Sequence, residues 1–178
     1  MKKKTITIGV TGSIAAYKAA DLTSALVKLG HDVRVIMTES ATKLIAPMTF
    51  LTLSKNPVIT SLWGEAQWKP THINLADETD LFVVVPATAN FLGKYCHGIA
   101  DDALTTFALS YDGAVLVAPA MNPRMWSHAA VQANSEVLRS RGVEFVGPAS
   151  GVVACGDVGE GKLSTISDVV TKINNMLG

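Results

Sequence analysis

The sequence predicts one three-layer α/β domain built on a doubly wound, mostly parallel sheet. Two observations carry this expectation. Short, β-branched apolar runs recur along the chain with helix-length stretches between them, which calls for βαβ units. The middle runs are apolar without alternation, the pattern of strands buried on both faces of a parallel sheet. At 178 residues the chain suits one compact domain and is short for two, so a single domain over 1–178 is expected.

Taken in order, the first strand is predicted over Thr5–Val10 (TITIGV). After it, Ile14, Tyr17, Leu22, Ala25, Leu26 and Leu29 recur at three- and four-residue steps, the spacing of one helical face. Gly30 is placed to close that helix in a left-handed conformation. The second strand is Val33–Met37 (VRVIM). Thr60–Thr71 (TSLWGEAQWKPT), with two tryptophans and a proline, is the least regular segment and reads as a loop. The third strand is Leu81–Val85 (LFVVV), and a helix over Ala103–Ser110 leads to the fourth, Ala114–Ala118 (AVLVA). Another helix is expected over Ala129–Arg139, then a strand at Val143–Val146. A last helix, Ser164–Leu177, has Ser164 or Thr165 as its N-cap. No internal repeat, low-complexity tract or Pro/Gly/Ser linker interrupts the series.

Composition removes several function classes. Lys+Arg 15 balances Asp+Glu 15, which argues against a nucleic-acid partner, and 48% hydrophobic residues exclude intrinsic disorder. No uncharged apolar run reaches the ~18 residues that span a bilayer, so no membrane association is expected. The apolar stretch after Lys2, Lys3 and Lys4 is broken by Gly9, Thr11, Gly12 and Ser13. It reads as a basic terminus before a strand rather than as a signal peptide. The two cysteines, Cys96 and Cys155, have no CxxC spacing, so reduced thiols and a cytoplasmic location are expected.

Doubly wound sheets bind ligands beyond the carboxyl ends of their strands, so the residues after each strand are the candidates. Gly12-Ser13-Ile14 follows the first: Gly12 allows close backbone approach, and Ser13 can offer hydroxyl and N–H to an anion at a helix start. GxGxxG is absent, so a phosphate seat and a plain turn stand as alternatives. Thr38-Glu39-Ser40 follows the second, as a helix cap or a ligand contact. After the third comes Pro86-Ala87-Thr88-Ala89-Asn90-Phe91, where a hydroxyl and a carboxamide suit a heterocycle or phosphate, or Thr88 only caps a helix. After the fourth, Pro119-Ala120-Met121-Asn122-Pro123-Arg124-Met125-Trp126 reads as a site rather than as packing. Gly156 to Lys162 imitates a P-loop, but Leu163 replaces its Ser/Thr and Asp157 and Glu160 would repel phosphates. Its glycines instead describe a flexible flap over about 151–163, carrying Cys155 at its base. His31, His97 and His128 have bland positions at turns and helix ends, whereas His72, ahead of the third strand, is a candidate general acid or base. No cluster has metal-ligand spacing.

Taken together, GSIAAYK at Gly12–Lys18, His72-Ile73-x-Leu75, Pro86–Asn90, PxMNxxMW at Pro119–Trp126 and Ala154-Cys155-Gly156 resemble the homo-oligomeric flavin-containing cysteine decarboxylases over nearly the whole chain. The Cys-Gly segment resembles the branch that decarboxylates 4'-phosphopantothenoylcysteine to 4'-phosphopantetheine in coenzyme A biosynthesis. The length resembles its free-standing form rather than the fusion with a ligase. The resemblance implies a flavodoxin-like or Rossmann-like fold that binds FMN between subunits of a trimer, or of a dodecamer of trimers. It implies cofactor contacts from Gly12, Ser13, Ile14, Thr38, Ser40, Thr88, Ala89, Asn90 and Ala120. It further implies His72 as base, Asn122 and Met125 beside the substrate carboxylate with Ala154 close by, and Cys155 as the acid that protonates an enethiol. Phe91 departs from the family motif, which often continues with Thr.

That chemistry suits these residue types. A cysteine carboxylate has no sink for the carbanion left by CO₂, and oxidation of its CH₂–SH unit to a thioaldehyde creates one. Lys94, Arg124 and Lys162 are candidates for holding the substrate's phosphate. Three further readings share the fold. An oxidative peptidyl-cysteine decarboxylase of the lantibiotic type would not need the Cys-bearing flap. A non-catalytic flavin-binding regulatory subunit would be expected to lose His72 or Asn122. A flavin prenyltransferase need not carry PxMNxxMW.

Overall fold

The computed structural model describes residues 3–63 and 71–178. The chain runs β1 (Thr5–Val10), a short 3-10 turn (Ile14–Ala16), α1 (Tyr17–Lys28), β2 (Asp32–Met37), α2 (Glu39–Thr42), α3 (Pro47–Ser54), β3 (Val58–Ile59), α4 (Thr71–Glu78), β4 (Leu81–Ala87), α5 (Ala89–His97) and α6 (Ala103–Ser110). It continues through β5 (Val115–Pro119), α7 (Pro123–Trp126), α8 (Ala129–Ser140), β6 (Glu144–Phe145), β7 (Ala149–Val152), β8 (Val158–Lys162) and α9 (Ile166–Leu177). Six strands form one parallel sheet in the order β3-β2-β1-β4-β5-β6, and β7 pairs antiparallel with β8 beside it. The strand order reverses between β1 and β4. That gap is the switch point at which such sheets bind ligands.

Alternation along the strands divides the core into two layers. Leu81, Val83 and Val85 of β4 face one layer with Ile6, Ile8 and Val10 of β1, covered by α1, α3 and α9. Phe82 and Val84 face the other with Val115 and Val117 of β5, under α4, α5, α6 and α8. The rings of Phe82 and Phe107 meet edge to face at 4.9 Å, fixing α6 on that layer. Every residue of β4 and β5 is buried, as a parallel sheet covered on both faces requires.

The expected strands and helices are present, with Thr165 as the N-cap of α9 and Gly30 left-handed at φ 91° beyond α1. Three features differ. The Thr60–Thr71 segment ends in α4, which starts at Thr71; Trp63 is 89% exposed, and residues 64–70 lie outside the described residues. Helix α3 and the two-residue β3 after it were not expected, α3 because its PMTFLTLS sequence is apolar on too many sides to show a face. The glycine-rich flap takes the form of the β7–β8 hairpin. His31 is buried at 5% exposure, and neither ring nitrogen has a hydrogen-bond partner.

Candidate active site

The carboxyl ends of β1, β2, β4 and β5 open into one cavity of about 1040 Å³. Its floor is a polar joint between the two central strands. Thr11, 1% exposed, donates its hydroxyl to the Pro86 carbonyl (2.7 Å) and accepts the Thr88 N–H (3.1 Å). Beside it the turn after β1 approaches the turn after β2, and a Cβ on Gly12 would lie 2.4 Å from the Ser40 Cβ. Only a glycine admits that approach.

Three helical starts surround this floor. Ser13 caps the 3-10 turn through the Ala15 N–H, Thr38 caps α2 through the Ala41 N–H, and Thr88 caps α5 through the Phe91 N–H. Both cap readings made from sequence are therefore met, and the capped ends line the cavity as well. Helix N-termini favour anions, and the first turns of the 3-10 segment and α5 carry no acidic residue. Glu39, in the first turn of α2, is hydrogen-bonded to Lys43 at 2.9 Å, and that contact holds its carboxyl below the ordinary range.

The wall is built by the turn after β5 and by the hairpin. The Ala120 N–H donates to Ala87 (3.1 Å), and the Met121 N–H donates to Gly161 in β8 (2.9 Å). A Cβ on Gly161 would strike the Met121 carbonyl at 2.4 Å, and one on Gly159 would meet Pro123 at 2.9 Å. The hairpin glycines are thus contact surfaces for the β5 turn. Asn122 is fixed in this corner: its Oδ1 accepts the Arg124 N–H at 2.8 Å and so caps α7. Its Nδ2 donates to Cys155 Sγ (3.1 Å) and to Asp157 Oδ2 (2.8 Å). The Asn122 amide, and after it the Cys155 thiol, hold the Asp157 carboxyl below the ordinary carboxylate range.

The cavity gathers Gly12, Ser13, Ile14, Thr38, Ser40, Thr88, Ala89, Asn90, Ala120, Asn122, Met125, Ala154 and Cys155, which are all the residues the resemblance implied except His72. His72 is not among the described lining residues of a single chain. It sits in the first turn of α4, which packs on α6. Among the three lysine and arginine candidates, Lys94 and Lys162 line the cavity, whereas Arg124 lines a shallower hollow with Trp126 and Glu160. Lys94 is already paired, with Asp101 at 2.7 Å and Asp102 at 3.7 Å, and the Asp101 hydrogen bond raises its pKa. The lining residues Asp101, Asp102 and Thr105 were missed. Asp102 and Thr105 form the capping box of α6, a signal written in the Asp-x-x-Thr spacing before that helix. Phe91 is 1% exposed and stacks on Tyr95 at 5.6 Å, so at this position the side chain serves packing.

A flavin mononucleotide suits this donor set. Capped, acid-free helix starts and the Ser13 and Ser40 hydroxyls provide an anion seat, and the apolar Ile14, Ala89 and Ala120 beside the Asn90 amide suit a planar ring.

The model of the flavoprotein family matches residues 1–178. A probable phosphopantothenoylcysteine decarboxylase of Streptococcus mutans is 44% identical over 98% of this chain and 99% of its own length. A coenzyme A biosynthesis bifunctional protein CoaBC of Bacillus subtilis is 45% identical over 96% of this chain. The chain spans 42% of that relative's length. Among solved structures, a cysteine-to-serine mutant of a PPC decarboxylase complexed with pantothenoylaminoethenethiol superposes with TM-score 0.87, at 26% identity and 98% coverage of both chains. The FMN-dependent cysteine decarboxylase SpaF superposes at 0.85, with 31% identity over 98% of both.

Proposed function

Because this chain belongs to the flavoprotein family, we propose that it is an FMN-dependent phosphopantothenoylcysteine decarboxylase acting in coenzyme A biosynthesis. The observation that carries this reading is the corner where Asn122 bonds the Cys155 thiol at 3.1 Å, on the wall of a cavity lined by Ser13, Ser40, Thr88 and Asn90. A carboxamide donor for a carboxylate and a thiol proton source stand together there, beside an anion seat and a ring-sized cleft. The relatives that match nearly the full chain carry the same activity in their names.

FMN, which Gly12, Ser13, Thr38, Ser40, Thr88 and Asn90 would hold, would supply a reversible hydride acceptor for the substrate's CH₂–SH unit, so that the overall reaction would have no net redox change. The remaining work belongs to the chain. Asn122, locked through its carbonyl to the α7 start, donates N–H to the substrate carboxylate and holds it out of the thiocarbonyl plane, where the C–C bond can break. Met125 packs beside the carboxylate, and Ala154 and Cys155 close the wall from the hairpin side. Cys155 gives its S–H proton to the carbon of the enethiolate that loss of CO₂ leaves. His72 takes the substrate proton. His72 is absent from the described lining of its own chain's cavity, which supports a role in the site of a neighbouring copy, the protein working as a homo-oligomer, a trimer or a dodecamer of trimers. Among the described residues no helix is long and apolar enough to cross a membrane, and a cytoplasmic location agrees with a soluble metabolite as substrate.

Purified protein supplied with FMN should absorb near ~450 nm, bleach on addition of phosphopantothenoylcysteine and release CO₂ and 4'-phosphopantetheine, followed by mass spectrometry. A protein that takes up no FMN overturns the reading. Preferential turnover of peptides ending in Cys would make it the peptidyl-cysteine enzyme instead.

A further inference from the structure

The contact between Asn122 and Asp157 has a chemistry that the reaction does not use. A carboxamide has two N–H donors and one carbonyl acceptor. In Asn122 the carbonyl is committed to the Arg124 N–H, and the amide nitrogen faces Cys155 Sγ and Asp157 Oδ2. The group expected to greet a substrate carboxylate is therefore already bonded to a carboxylate of its own chain, at 2.8 Å. The same amide favours the charged form of that carboxylate and holds it below the ordinary carboxylate range. Two anions cannot share one N–H without strong repulsion.

We infer that Asp157 is an internal stand-in for the substrate's carboxylate: it occupies the Asn122 amide, latches the hairpin to the β5 turn, and is displaced when the substrate binds. This rests on the proposed function for the identity of the incoming ligand, but the latch itself does not. Asp157 lies in the turn joining β7 to β8, two residues from Cys155. Its carbonyl accepts the Val153 N–H (2.9 Å), so the tip of the hairpin moves with it. Exchange of one carboxylate for the other thus couples recognition of the substrate to the position of the Cys155 thiol. Asp157 acts as a positioning residue: only a ligand whose carboxylate competes for Asn122 releases the latch, at a cost to that ligand's own affinity, and a ligand that lacks one leaves the latch closed. The decarboxylated product is such a ligand.

The test has two arms on the FMN-loaded protein. Without substrate, hydrogen exchange of residues 149–162 should quicken several-fold in Asp157→Ala and in Asn122→Ala, and the double variant should exchange no faster than Asn122→Ala alone, since that variant already removes the shared contact along with its bond to Cys155. Unchanged exchange, or fully additive effects, would overturn the latch. In the second arm, Asp157→Asn keeps an acceptor but removes the competing charge. Its affinity for phosphopantothenoylserine, a carboxylate probe lacking the oxidisable thiol, should rise about 3- to 30-fold, while affinity for 4'-phosphopantetheine stays unchanged. Equal weakening of both ligands would show a merely structural role, and a fall in kcat with neither affinity changed would make Asp157 a proton carrier; either result sinks the stand-in. If neither probe binds even the wild type, the proposed substrate is wrong, and the exchange arm still decides the latch.

Discussion

Gly12 and Ser40 meet so closely that a single added methyl group on Gly12 would stand 2.4 Å from the Ser40 Cβ. The contact joins the turns after β1 and β2, and both turns line the cavity. Gly12→Ala must push them apart, an overpacking that costs about 1–3 kcal/mol. The expected outcome is a folded protein whose bound flavin, read by its visible absorbance, falls at least tenfold. Undiminished flavin content would show that the two turns do not share a ligand.

Thr11 is the second test of the floor. Thr11→Val keeps the shape and removes the hydroxyl that serves the Pro86 carbonyl and the Thr88 N–H. Stranding buried polar groups costs about 1–3 kcal/mol each. In a chain of this size a loss of that order lowers Tm by roughly 2–10 °C, measurable by thermal denaturation of the apo and FMN-loaded forms. Thr11→Ser should restore most of it.

Cys155→Ser should leave oxidation and loss of CO₂ intact and block the last protonation. Mass spectrometry is expected to find the enethiol product, two hydrogens lighter than 4'-phosphopantetheine. Full product from this variant would remove Cys155 from its role.

The placement of His72 predicts complementation. His72→Ala and Asn122→Ala proteins should each be inactive alone. After dissociation and mixed reassembly, activity should return, because some sites then receive both side chains from intact copies. No recovery from mixtures shown by mass spectrometry to contain both chains would mean that His72 acts within its own subunit.

His31 predicts an acid limit on stability. Burial pushes its pKa below the ordinary value of 6.5. The folded ring therefore stays neutral while the unfolded chain takes up a proton, so stability is full above about pH 6.5 and declines as the pH falls below it. Replacing the ring by an apolar side chain in His31→Leu should flatten that part of the profile, read as Tm against pH between about 7.5 and 5.

What could be read from the sequence follows the range of the forces involved. Strand ends were legible because a buried strand announces itself as an apolar run, and the residues after it are then fixed in the site by topology alone: Gly12, Thr38, Thr88 and Ala120 all fell in place this way. The caps at Thr38, Thr88 and Thr165 were legible because they are local. Helix α3 and the two-residue β3 were not, since neither has a periodicity of its own and both are held by contacts with α1 and β2. The glycines of 151–161 looked like freedom. They are confinement, because Gly159 and Gly161 touch Pro123 and Met121, residues 36 and 40 positions away. The Asn122–Asp157 bond was hidden for the same reason, and Asp157 read only as a charge unfriendly to phosphate.

The joint at Thr11 and Pro86 links residues 75 positions apart in the chain. A pocket floored that way has no local precursor: neither the turn after β1 nor the turn after β4 forms its floor alone. Flavin colour in this protein therefore reports the closure of the whole sheet. Protein short of FMN would lose not only catalysis but the ligand's stabilisation of the native state, which grows with ligand concentration over Kd. The amount of enzyme, as well as its activity, would then follow the supply of its cofactor.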